Sequence, residues 1–86
     1  MPAAVLALQI PNRYERERIH EIIKAESVNL SNEYAVSIVD SGSEDIWELL
    51  IKRPDGGKVS MQLHADLGDL TPAVIRIRIQ KLIRSL

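Results

Sequence analysis

Arg53-Pro54-Asp55-Gly56-Gly57-Lys58 lies between two strand-like runs, and no other stretch restricts the chain as much. Proline presets the first turn angle, and glycine supplies the positive φ that closes a hairpin. Upstream, Ile46 to Lys52 reads as a strand with Trp47, Leu49 and Ile51 on one face. Downstream, Val59, Met61, Leu63, Ala65 and Leu67 alternate with Lys58, Ser60, Gln62, His64 and Asp66. A period of two is the pattern of a half-buried strand, so the segment predicts an antiparallel hairpin.

The face of Trp47 decides what the sheet leaves outside. With Trp47 inward beside Leu49 and Ile51, Ile46 and Leu50 face outward among Glu48, Lys52, Ser60, Gln62 and His64. Two outward aliphatics on an open sheet face mark a partner or self-association patch. In the opposite register Trp47 itself becomes the exposed anchor.

Two further strands are expected. Val5 to Ile10 alternates, with Leu6, Leu8 and Ile10 on one side, and Pro11 stops it. Tyr34, Val36 and Ile38 alternate with Ala35, Ser37 and Val39, and Asp40 to Asp45 is a polar turn. Between these strands, Asn12 and Glu15 have capping-box spacing, which predicts a helix from there to about Ser27. Its apolar stripe, Ile19, Ile22 and Ile23, is narrow. Its remaining surface offers the pairs Arg13–Glu17, Arg18–Glu21 and Glu21–Lys24, each contributing only about 0.2–0.5 kcal/mol, so packing must hold the helix.

The last sixteen residues, Thr71 to Leu86, carry two patterns. Ile75-Arg76-Ile77-Arg78-Ile79 alone suits a strand. Thr71-Pro72 instead offers an N-cap with proline at the first helical position, and Asp69 sets a negative charge near that start. Ile75, Ile79, Leu82, Ile83 and Leu86 also follow helical spacing, so a helix is expected. The order is β-α-β-β-β-α: an α+β two-layer sandwich, with an antiparallel meander sheet and both helices on one face. One domain is expected over residues 1–86.

Composition narrows the function. There is no cysteine among the 86 residues, which excludes a disulfide scaffold, a thiolate nucleophile and a finger-type zinc site, and fits a reducing compartment. The apolar run near the start, Ala3 to Leu8, is far short of the roughly 20 residues of a membrane span, and a secretory leader would want a basic start and a longer apolar region. The whole chain is therefore expected in the cytoplasm. Phenylalanine is absent, so burial rests on Ile, Leu and Val, each worth about 1.5–3 kcal/mol when covered. A domain of this size buries only about 60 per cent of its unfolded surface, and self-association would add to its stability.

Net charge is −1, but the charges are segregated. Residues 12–27 carry four cations and four acids. Residues 28–70 carry Lys52, Arg53 and Lys58 against eight acids, a balance of −5. Residues 71–86 carry Arg76, Arg78, Lys81 and Arg84 with no acid, a balance of +4. These four cations either solvate the outer face of the last helix and complement its dipole, or form an anion-binding face for RNA, DNA or an acidic protein surface. Without an aromatic anchor they make a weak membrane binder, and no membrane partner is expected.

Catalytic constellations are missing from the sequence. His20 sits between Arg16 and Lys24, an unfavourable place for a metal ligand or base. His64 shares a strand face with Gln62 and Asp66, and a His–Asp pair can orient a general base, but no nucleophile motif accompanies it. Glu44-Asp45 does not match a calcium loop, and Gly56-Gly57 lacks the following helix of a phosphate loop. No catalytic residue, metal ligand, cofactor or small-molecule substrate is inferred, and the chain is not expected to be an enzyme.

Part of the second half is similar to the ribosome hibernation promoting factor family, which shares the double-stranded-RNA-binding type of fold. The residues that carry the likeness are Pro54-Asp55-Gly56, the run His64 to Leu70, and Lys81-Leu82-Ile83-Arg84-Ser85-Leu86, which resembles that family's Lys-Leu-x-Arg-x-Leu ending. The order of elements is similar as well. The resemblance implies binding to ribosomal RNA of the small subunit through basic residues, with Lys81 and Arg84 as the matching positions. The chain has Thr71-Pro72 where the family usually has an aromatic residue.

Two functions are therefore expected of this sequence. The first is a small non-catalytic cytoplasmic binding module acting through protein–protein contacts, with self-association as a homodimer. The second is an RNA- or ribosome-binding protein using Arg76, Arg78, Lys81 and Arg84.

Overall fold

A computed structural model describes residues 3–86. Of the domain expected over 1–86, residues 1 and 2 lie outside the described residues. The elements follow the expected order: β1 (Ala4–Leu8), α1 (Arg16–Glu26), β2 (Ala35–Asp40), β3 (Ile46–Lys52), β4 (Lys58–His64) and α2 (Pro72–Arg84), with a 3-10 turn at Ala65–Leu67. The fold is α+β, with one four-stranded sheet in the order β1-β2-β3-β4.

The sheet is mixed, which corrects the expectation of a meander throughout. β2, β3 and β4 are antiparallel neighbours, but β1 runs parallel to β2. The cause is the connection: α1 lies between β1 and β2 and returns the chain to the end from which β1 began, whereas the other strands are joined by tight turns.

The β3–β4 hairpin forms as its turn residues require. Gly56 has φ +91°, the Arg53 N–H donates to the Gly57 carbonyl at 2.7 Å, and the Gly57 N–H donates to Asp55 Oδ1 at 2.8 Å. β4, however, ends at His64. Ala65 and Leu67 do not continue the alternation, and Leu67 is 73 % exposed in the 3-10 turn.

β1 also departs from simple alternation. A bulge between Val5 and Ala7 puts Val5 opposite Val36 and Leu8 opposite Ile38, and leaves Leu6 69 % exposed. Ile10 is buried beyond the end of the strand.

α1 starts at Arg16, four residues after the expected cap. Pro11 to Tyr14 forms a turn, with the Tyr14 N–H donating to the Pro11 carbonyl, and Asn12 accepts a hydrogen bond from the Arg16 side chain instead of capping. The expected pairs along α1 are replaced by Arg18 with Glu15 at 2.8 Å. In α2, Pro72 occupies the first turn, but the Thr71 hydroxyl turns back to the Gly68 carbonyl and makes no side-chain cap.

A single core joins the layers. It contains Ile19, Ile22 and Ile23 of α1, Ile75, Ile79 and Leu82 of α2, and Val36, Ile38, Leu49, Ile51 and Leu63 of the sheet. Trp47 packs against the same core, so β3 stands in the register that turns Ile46 and Leu50 to the other face. Among the described residues, no helix is long and apolar enough to cross a membrane.

Candidate functional site

α2 presents its cations unequally. Arg76 Nε lies 3.7 Å from Glu26 Oε1 at the end of α1, and Gln80 donates to Glu26 Oε2 at 3.2 Å. The Arg78 guanidinium lies 3.7 Å from Asp69 Oδ1, whose side chain is only 10 % exposed. Lys81 and Arg84 are exposed and form no ion pair among the described residues. Exposed pairs add at most about 1 kcal/mol each to stability, but they cancel potential where they sit. Two of the four expected cations are therefore locally compensated by acids outside the helix.

Among the described residues, no helix or strand packs on the sheet face away from the two helices. Leu50 lies there between Ser37 of β2 and Ser60 of β4, and Ile46 lies opposite His64. Ala4, Ala7, Ala35 and Val39 continue the face toward β1. Ile46 and Leu50 are both half-buried, shielded by their sheet neighbours. Among the described residues, the large aliphatics more than half exposed are Leu6, Val28, Leu67 and Ile77, which alternation alone did not single out.

The outer edge of β4 is a second feature of this surface. Hydrogen-bonded pairs alternate along an antiparallel ladder. The Arg53 N–H bonds to the Gly57 carbonyl and the Ala65 N–H bonds to the Asp45 carbonyl, so the odd-numbered residues of β4 face β3 with their backbone groups. The even-numbered residues, Lys58, Ser60, Gln62 and His64, then turn theirs to the free edge. His64 is satisfied there: its N–H donates to Asp69 Oδ2 at 2.7 Å, and its carbonyl accepts from the Asp69 N–H at 3.1 Å. Lys58, Ser60 and Gln62 have no outward backbone partner among the described residues.

The opposite edge is protected differently. β1 is five residues long and bulged, which twists its edge and shortens any ladder that a neighbour could form. β4 has seven residues, no proline and no bulge. Of the two edges, β4 is the one open to another strand.

The histidines do not build a catalytic pair. Because β4 stops at His64, Asp66 leaves the strand face, and the acid tied to His64 is Asp69, through the backbone. His20 Nδ1 lies 3.9 Å from Glu21 Oε1 on an exposed part of α1. An open groove of about 710 Å³ beside the start of α1 is lined by Tyr14 and His20, with Arg16 and Arg18 set against Glu15 and Glu17. Its charges are mixed and solvated. Among the described residues, no group of three or more acidic or histidine side chains is placed to hold a metal ion.

Compared with models of protein families, curated proteins and solved structures, the chain matches none.

Proposed function

We propose that this chain is a small non-catalytic, cytoplasmic protein-binding module whose first partner is a second copy of itself. The observation that carries the reading is the sheet surface away from the two helices: a face bearing Leu50 and Ile46, bordered by an edge strand whose outward backbone groups at Lys58, Ser60 and Gln62 have no protein partner among the described residues. Unpaired strand edges are templates for another chain, and proteins that remain monomeric blunt them. β1 is blunted by its shortness and bulge, while β4 keeps three residues whose outward backbone groups have no protein partner among the described residues.

RNA binding through Arg76, Arg78, Lys81 and Arg84 is the competing reading. It is disfavoured because Glu26 and Asp69 already sit 3.7 Å from two of these cations. Light scattering on the purified full chain tests the choice. At high micromolar concentration the mass should approach twice 9.7 kDa, with or without nuclease treatment. A mass of 9.7 kDa at every concentration, with retention on RNA that falls steeply with salt, overturns it.

A further inference from the structure

We infer that two copies of this chain join β4 to β4, antiparallel about a two-fold axis at Ser60, to make one continuous sheet of eight strands, four from each copy. The inference rests on the self-association proposed above and names the surface that performs it.

The register follows from which backbone groups are free. Across an antiparallel junction, a residue whose N–H and carbonyl point outward must face another of the same kind. Only Lys58, Ser60 and Gln62 qualify, because Asp69 occupies both groups of His64. Setting Ser60 opposite Ser60 of the second copy puts Lys58 opposite Gln62 on either side of the axis. All three outward N–H groups and all three outward carbonyls of each copy then find partners. Sliding by one residue about Met61 would set the strand residue Lys58 against His64, where Asp69 sits, whereas about Ser60 the residue there is Gly56, at which the hairpin has already turned back toward β3. Sliding the other way about Val59 leaves Gln62 unpaired, and centring on Lys58 sets two ammonium groups against each other.

Side chains agree with this register. Lys58 meets the uncharged Gln62, so no like charges stand directly opposite. On the helix side, Val59 comes opposite Met61 in a non-hydrogen-bonded position, where cross-strand side chains approach most closely. Both are half-buried at the margin of the core, so the junction would complete their burial and carry the apolar layer from one copy to the next. On the other side, the two open faces become one, with Leu50 of each copy beside the Ser60 pair.

Single cysteines test the axis, since the chain has none of its own. In the inferred register Ser60→Cys brings two thiols together on strands whose Cα atoms are about 5.5 Å apart, inside the range of a disulfide. Gln62→Cys lies on the same strand and face, but its two copies are offset by four residues, about 14 Å, and cannot be bridged. Under mild oxidation Ser60→Cys should form the covalent dimer at least about tenfold faster than Gln62→Cys, while both fold as the parent does. Equal rates, or no linkage from either variant, in a protein whose parent chain scatters as a dimer, overturn the β4 junction and leave self-association standing. A parent chain that scatters only as a monomer overturns both.

Discussion

The Asp69 carboxylate accepts the His64 backbone N–H at 2.7 Å while the Asp69 N–H donates to the His64 carbonyl at 3.1 Å, so one residue satisfies both outward groups at the end of β4. The same carboxylate lies 3.7 Å from Arg78, and Asp69 is buried. This contact ends the strand, seats the start of α2 and fixes how much of the edge stays open.

Replacing Asp69 should therefore be costly. Asp69→Ala removes the acceptor of a part-buried N–H together with the partner of Arg78 and is expected to destabilise the fold by about 2 kcal/mol. Asp69→Asn keeps an oxygen in place and should cost about 1 kcal/mol. Urea unfolding of the two variants checks the order. Equal stability for Asp69→Ala and the parent chain would show that the contact contributes nothing.

Ile79 lies at the centre of the core that α2 shares with the sheet and is fully buried. Ile79→Ala should cost about 3 kcal/mol. A chain of 86 residues has a total stability of about 4–13 kcal/mol, so this is a large share, and cooperative unfolding should shift to much lower denaturant. A shift no larger than that of an exposed Gln80→Ala control would contradict the docking of α2.

Gly56 closes the β3–β4 hairpin at φ +91°, with open space where a side chain would go. The penalty for Gly56→Ala is then one of backbone conformation, about 1 kcal/mol, with no clash added. Thermal unfolding should show a modest fall. An unchanged midpoint would mean that the turn relaxes freely.

Much of this architecture could be read from the residues. Pro54 and Gly56 mark the hairpin, Thr71-Pro72 marks the start of α2, and Trp47, Leu49 and Ile51 share the inner face of β3, so local chemistry and tertiary packing agree there. Where they disagree, the sequence pattern misleads. Ala65 and Leu67 extend the period of β4, yet Gly68 at φ +81° and the tie from Asp69 to His64 turn the chain away. The parallel pairing of β1 is set by the return path through α1, and the bulge at Leu6 breaks its alternation. The sequence does place Arg76, Arg78, Lys81 and Arg84 on the last helix, and Ile46 and Leu50 on the outer face of β3. It does not place Glu26 or Asp69 beside two of those cations, because these contacts join separate elements. The unsatisfied edge of β4 depends on ladder parity, which becomes readable only once the hairpin register is known.

Lys81 and Arg84 lie on α2, the helix that packs against β4, and are exposed outside the strand whose backbone groups form the inferred junction. Lys81→Glu combined with Arg84→Glu should leave the dimer mass unchanged within about twofold in dissociation constant, because neither side chain belongs to the inferred junction. The parent chain should also fail to be retained on immobilised RNA at physiological salt. Loss of dimer in the double variant, together with RNA retention by the parent, would move the working surface to the helix.

The central claim concerns hydrogen bonds that exist only between copies, and residue-resolved amide exchange reads them directly. At high micromolar concentration the Ser60 and Gln62 amides should be protected, and on dilution they should lose that protection while Val59, Met61 and Leu63, which bond to β3, keep theirs. Ser60 and Gln62 amides that exchange freely at every concentration, even where the protein scatters as a dimer, would contradict the account.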